Sequence, residues 1–169
     1  MIVRRFAATL FLVLSAATAT ADAMTAVELS PITHRAASLV ILDQNGEERT
    51  YSPAMIEEFQ TYSLTTTTPW RDVPARFEGV LLSDLLAAHG LDTAETIRVT
   101  AENDYATTFS RELIENVDIM VATRVDGAPH TRRERGPIQF VIAADAFAAS
   151  DLTAESNLVW MAARIEAEN

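Results

Sequence analysis

Cysteine is absent from all 169 residues of the chain. That absence excludes a disulfide framework, a thiolate nucleophile and any cysteine–metal bond. Stability has to come from core packing. Lysine is absent as well: all thirteen basic residues are arginine, set against twenty-four acidic ones, for a net charge of −11. This shortage of positive charge argues against a nucleic-acid partner, whose phosphates need neutralising, and against an anionic membrane surface. It permits a basic protein partner, or it serves solubility. Glycines number only five. No serine or threonine sits in a glycine-flanked elbow, and no glycine-rich loop could cradle phosphate, so neither a hydrolase triad nor a P-loop is supported. The three histidines, His34, His89 and His130, do not have the spacing of a zinc site. Each reads as structural or surface, and His130 could join an anion site. Glu57 and Glu58 are adjacent on one helix, so they do not converge as an acid/base pair. They are expected on its wet face.

No long apolar run follows residue 23. Before it, Arg4 and Arg5 precede the apolar stretch Phe6 to Ala17, and small residues come next. This is the order of a secretory signal. The apolar stretch is shorter than the ~20 residues of a spanning helix. Cleavage is expected at Ala19-Thr20-Ala21 or Ala21-Asp22-Ala23. Residues 1–23 therefore read as a signal peptide and 24–169 as one domain, periplasmic or secreted, with no membrane span after cleavage. Cleavage after Ala23 removes two positive charges and one negative charge from −11, leaving −12. The remainder is long enough for a real core.

Along that domain, residues 24–36 read as a loose entry. Strands are expected at 38–43 and 47–51, joined by a turn at Asn45-Gly46. Ser52-Pro53 reads as a helix start, with Met55, Ile56 and Phe59 on one face to about Gln60. A strand at 62–67 is expected to end at Pro69, followed by a loop through Pro74. A short strand, Arg76-Phe77-Glu78, leads to a turn at Gly79. Leu82, Leu85, Leu86 and His89 then share a helical face, closed by Gly90. Further strands are expected at 96–101, 105–109, 119–125, 139–142 and 158–165. A short helix capped by Ser110 lies among them, and a helical turn or loop at 144–156. Strands and short helices alternate without a β-α-β repeat. That pattern suggests a compact single α+β domain with a mixed β-sheet and short helices.

Several segments, in order, resemble the molybdopterin-binding oxidoreductase domain, the sulfite-oxidase-type fold. They are Thr68-Pro69-Trp70, Phe77-Glu78-Gly79-Val80-Leu81-Leu82-Ser83-Asp84-Leu85-Leu86, Asn103-Asp104-Tyr105, Val125-Asp126-Gly127-Ala128-Pro129 and Gly136-Pro137-Ile138. The closing stretch from Asn157 to Ile165 is similar too, although Val159 stands where the family has lysine. The resemblance covers roughly residues 38–166. It implies a molybdenum centre ligated by a cysteine in the segment before Phe77. Here that segment is Leu64-Thr65-Thr66-Thr67-Thr68-Pro69-Trp70. A threonine hydroxyl does not replace a thiolate on such a metal.

The resemblance also implies that three loops share one side of the sheet. They carry Trp70 and Arg71; Asn103, Asp104 and Tyr105; and His130, Arg132, Arg133 and Arg135. Aromatic rings beside guanidinium groups can hold an anion or a planar ring. These nine residues are the ligand-binding candidates, and no catalytic or metal-ligating residue is assigned. The bland alternative is that Trp70 caps the core, Tyr105 is a strand residue and the arginines are solvated. The expected function is an exported, non-catalytic domain that binds a small anionic ligand or a protein partner, for a sensor or a redox system. No cofactor is expected. The alternatives are a protein that retains molybdopterin without the cysteine, and a structural module with no ligand.

Overall fold

A computed structural model describes residues 23–33 and 38–168. The signal-peptide reading of residues 1–23 falls almost wholly outside them, as does His34. Strand β1 (Thr25–Ala26) comes first, followed by β2 (Leu39–Leu42) and β3 (Glu48–Tyr51). The turn between β2 and β3 is held by the Asp43 carboxylate, which accepts from the Asn45 and Glu47 amides at 2.8 and 3.0 Å. These bonds stabilise the charged form and hold the Asp43 pKa below the usual carboxylate value; the Glu47 amide contributes most.

Helix α1 (Pro53–Ile56) has the expected cap: Ser52 Oγ accepts from the Met55 amide at 3.3 Å, with proline at the first position. It is much shorter than the apolar spacing suggested. Met55 is exposed, while Ile56 is fully buried. Glu57 corrects the wet-face expectation outright. Its side chain is buried against Arg124.

Strands β4 (Thr61–Thr68) and β5 (Arg71–Leu81) form a long hairpin around Pro69 and Trp70. The loop expected through Pro74 is in fact strand. The β4–β5 register shifts between Thr66 and Thr68, and Pro74 falls in the irregular stretch between Ala75 and Arg71. A missing amide is tolerated at such a place. Gly79 is likewise inside β5 rather than in a turn. Helix α2 (Leu82–Ala88) follows directly and buries Leu82, Leu85 and Leu86. His89 ends it as a buried structural residue. The Leu85 carbonyl lies 2.6 Å from Nδ1 and can only accept, so Nδ1 carries the proton and Nε2 accepts from the Tyr51 hydroxyl at 2.8 Å.

Then come β6 (Thr96–Ala101), β7 (Ala106–Ser110), α3 (Arg111–Asn116), β8 (Met120–Val125) and β9 (Ala128–Pro129). Ser110 Oγ caps α3 at the Leu113 amide, 3.2 Å away. The chain closes with β10 (Gln139–Val141), α4 (Ala144–Ala149) and β11 (Ala162–Ala167). The final strand starts later than its apolar pattern indicates. Met161 takes a positive φ of 55° and breaks the extended run, leaving Trp160 in a lone bridge to Gln139.

The strands form two sheets. One is antiparallel, in the order β1-β4-β5-β8-β10, with β9 added to β8. The other runs β3-β2-β11-β6-β7 and is mixed, because β11 pairs with β2 in parallel. The larger core joins Ile41, Val99 and Ile165 of the mixed sheet to Val80, Val121 and Phe140 of the antiparallel sheet, with α2 and α3 contributing Leu85 and Leu113. A smaller core covers the opposite face of the antiparallel sheet, around Leu64, Phe77, Met120 and Val141. With apolar packing on both faces, every residue of β8 is buried. This is the α+β domain with few, short helices that the sequence pattern implies. Among the described residues no helix is long and apolar enough to cross a membrane.

Candidate functional site

Three connections carry the candidate residues. The β4–β5 turn presents Trp70 and, at the start of β5, Arg71. The β6–β7 turn presents Asn103, Asp104 and Tyr105. Asn103 Oδ1 accepts from the Tyr105 amide at 3.3 Å, and Asp104 takes a positive φ of 64°. An aspartate tolerates that conformation in such turns.

The β9–β10 connection carries the arginines. Arg132–Glu134 is a single 3-10 turn, and Arg135 ends it in the left-handed region at φ 74°. The Gly136 amide closes the loop on the Thr131 carbonyl at 2.8 Å, and the Gly136–Pro137 peptide is cis. Gly136 lies so close to His130 that a Cβ there would stand 2.6 Å from its Cγ. Absence of a side chain at this position lets the loop fold back over the imidazole.

Trp70, Arg71, His130, Arg133 and Arg135 line one cleft of about 160 Å³, together with Phe77, Glu134 and Gln139. Trp70 also borders a neighbouring cleft of about 270 Å³ that holds Asn103, Tyr105 and Trp160. Two candidates stay outside both. Asp104 shapes its turn only. Arg132 turns away onto the Glu102 carboxylate.

The charges in the smaller cleft are unequal in availability. Arg71 is already paired, with Glu134 at 3.1 Å and Asp126 at 3.7 Å. Arg135 lies over Trp70, its guanidinium carbon 4.9 Å from the ring centroid, and stands 5.8 Å from that of Trp160. Both distances are within cation–π range. Its Nε is buried without a hydrogen-bond partner. Arg133 is exposed and forms no ion pair among the described residues.

His130 is 2% exposed. Its Nε2 donates to Gln139 Oε1 at 2.8 Å, which leaves Nδ1 as a buried atom with no partner. Burial pushes its pKa below the ordinary histidine value, against the Gln139 hydrogen bond and Glu134, which favour the charged ring. The unfolded chain protonates at the ordinary pKa, so the folded state binds fewer protons as the medium acidifies. The stability present above pH ~6.5 is therefore expected to fall as pH drops through 6.5 toward the depressed folded value. Denaturation midpoints at pH 7 and 5, compared with those of His130→Gln, check this. The variant should lose part of the pH slope.

The sequence reading missed Trp160, Glu155 and Gln139. Trp160 lies within the strand expected at 158–165, and the sequence carries no signal that sets it apart. Glu155 and Gln139 carry no motif.

The donor chemistry does not fit a thiolate-ligated metal. No residue of the chain carries a thiol. In the segment where the resemblance implies the ligand, Thr66 is buried and its hydroxyl accepts from the Ala144 amide at 2.9 Å. Among the described residues no group of three or more histidine and carboxylate side chains could hold a metal.

No protein-family model matches the chain. No curated protein matches it either. Among solved structures, the chain is similar to the sulfane dehydrogenase SoxCD from Paracoccus pantotrophus, with a TM-score of 0.60 and 15% identity. The match covers 82% of this chain and 39% of that one, so the chain spans well under half the length of its structural relative. At this identity the likeness is one of fold. It agrees with the sulfite-oxidase-type α+β fold implied by the sequence segments.

Proposed function

We propose that this is an exported, non-catalytic domain of sulfite-oxidase-type fold that binds a small anion, or an acidic segment of a protein partner, for a sensor or redox system. One observation carries the reading: Arg71, Arg133 and Arg135 converge with the buried His130 on a single cleft of an otherwise acidic protein. Its volume of about 160 Å³ lies below the ~300 Å³ at which pockets for drug-sized ligands begin. It suits an inorganic oxyanion or one carboxylate group. Arg71 is neutralised by its two carboxylates, so Arg133 and Arg135 supply the attraction. A guanidinium presents paired donors to such an anion.

Sulfate and phosphate titrations of the mature protein, followed by thermal shift and calorimetry, test the reading. Saturable binding should weaken as sodium chloride is raised. Arg133→Ala should weaken it about tenfold, as expected for losing a charge-assisted hydrogen bond. Arg135→Ala should also weaken it, and Arg49→Ala on β3 should not. Binding that ignores both Arg133→Ala and Arg135→Ala would remove the proposal. A pterin extracted in stoichiometric amount from protein made in a molybdenum-replete host would replace it with the cofactor-retaining reading.

A further inference from the structure

The larger of the two clefts has the opposite character. Six large hydrophobic side chains are exposed among the described residues: Met55, Trp70, Val73, Tyr105, Leu152 and Trp160. The three aromatic ones, which include both tryptophans of the chain, line this one cleft of about 270 Å³. They reach it from three separate places: the β4–β5 turn, the β6–β7 turn and the stretch before β11. Aromatic side chains brought together from distant parts of a chain and left 37 to 45% exposed are not serving the core. Exposed aromatic patches of this kind mark binding sites.

The polar lining identifies what such a site would take. It consists of Asn103, Ser156 and Glu155. Glu155 has no ion-pair partner among the described residues. No arginine lines this cleft: Arg135 belongs to the lining of the neighbouring one, and Arg132 is neutralised by Glu102. Glu155 is thus the one charged side chain among the residues that line this cleft, on a protein whose net charge is −11. The tryptophans already accept a cation in this structure, since the Arg135 guanidinium sits within 6 Å of both ring centroids. Aromatic faces with a nearby carboxylate select cations that are weakly hydrated, above all quaternary ammonium groups.

We propose that Trp70, Tyr105 and Trp160, with Glu155, form a binding site for a small organic cation of the quaternary-ammonium class. The site is separate from the anion cleft and shares only Trp70 with it. Apolar rings supply the contact area. The ring faces and the Glu155 carboxylate supply the selectivity for positive charge.

The test is a titration of the full mature chain with tetramethylammonium chloride at constant ionic strength, matched against sodium chloride and followed by tryptophan fluorescence. The neutral isostere 3,3-dimethyl-1-butanol runs in parallel with choline. Saturable binding of tetramethylammonium and choline is expected. The neutral isostere should bind about fivefold or more weakly, the ratio that a cation–π contact of ordinary strength gives. Glu155→Gln lies on the surface and should weaken choline binding severalfold without moving the thermal midpoint. Tyr105→Leu should weaken it as well, and Arg133→Ala should leave it unchanged. The last variant separates this proposal from the anion reading, which depends on Arg133. Equal affinity for the neutral isostere would overturn the proposal, as would no saturation by tetramethylammonium. So would binding that survives both Glu155→Gln and Tyr105→Leu.

Discussion

Replacing Arg124 by methionine is expected to cost ~3–5 kcal/mol, the loss that follows when one partner of a buried ion pair is removed. Arg124 and Glu57 are each only 6% exposed at the side chain. The guanidinium meets the carboxylate twice, Nε to Oε1 at 2.9 Å and Nη2 to Oε2 at 2.5 Å. Nη2 also donates to the Ser30 carbonyl at 2.6 Å, and the Thr123 hydroxyl donates to Glu57 Oε1 at 2.6 Å. The Glu57 bonds dominate in pushing the Arg124 pKa up, and burial opposes them. A second carboxylate, Glu78, is nearby and almost buried. Its Oε1 meets Arg76 at 3.1 Å, and its Oε2 has no partner. Removing Arg124 therefore leaves the Glu57 carboxylate buried without its counter-charge and takes away a positive charge that also acts on Glu78. For a domain of this length the expected loss is a fall in Tm of roughly 10 °C. The double variant Arg124→Met with Glu57→Leu removes both charges and should recover most of the loss. An unchanged midpoint in Arg124→Met would show that the pair contributes nothing. A double variant that loses the sum of the two singles would show independent bonds rather than a coupled pair.

That cluster also shows where sequence patterns stop. Its charges lie just past the end of α1, on β5 and on β8, far apart in the chain, and no local spacing announces them. A glutamate beside another glutamate on a short helix reads as solvent-facing. The tertiary fold decides otherwise, because α1 ends after Ile56 and Glu57 turns inward onto β8. Short-range chemistry was far more legible. Ser52-Pro53, Ser110, Asn45-Gly46 and the leucines of α2 each fix their element through a local rule of capping, turn or periodicity. Among the core strands, 96–101 was legible through its alternation, and 119–125 and 139–142 as apolar runs. The positive φ of Met161 was not: nothing in the sequence shows that this residue interrupts β11 and leaves Trp160 at the surface. The candidate site was legible through its unusual residues. Three arginines in four positions and an isolated tryptophan stand out in a lysine-free, acidic chain. Glu155, Ser156 and Gln139 have no such signature, and only the convergence of loops makes them neighbours.

Gly79→Ala is expected to be the most damaging single methyl in the protein. The β5–β8 register shifts at this glycine: Glu78 pairs with Arg124, but Gly79 pairs with Ala122, so Thr123 is the extra residue of a β-bulge. The backbones close up at that point. A Cβ on Gly79 would stand 2.1 Å from the Val121 carbonyl oxygen and 2.7 Å from the Ala122 Cα. Both obstacles are main chain, so no rotamer change relieves them. The strands have to separate where both faces of β8 are packed, and cores resist such movement. The expected cost is on the order of 4 kcal/mol or more, the range of strain at a special backbone position. The consequence reaches the site, because β8 leads through β9 to His130, whose amide bonds the Thr123 carbonyl at 2.8 Å. Gly46→Ala is the control. It has open space around its Cβ and carries only the strain of its φ of +82°, which costs about 1–2 kcal/mol. Urea denaturation of both variants compares them directly. A Gly79→Ala protein as stable as Gly46→Ala would mean that β5 and β8 do not approach this closely. The bulge that positions Thr123, Arg124 and the loop to His130 would then have to be redrawn.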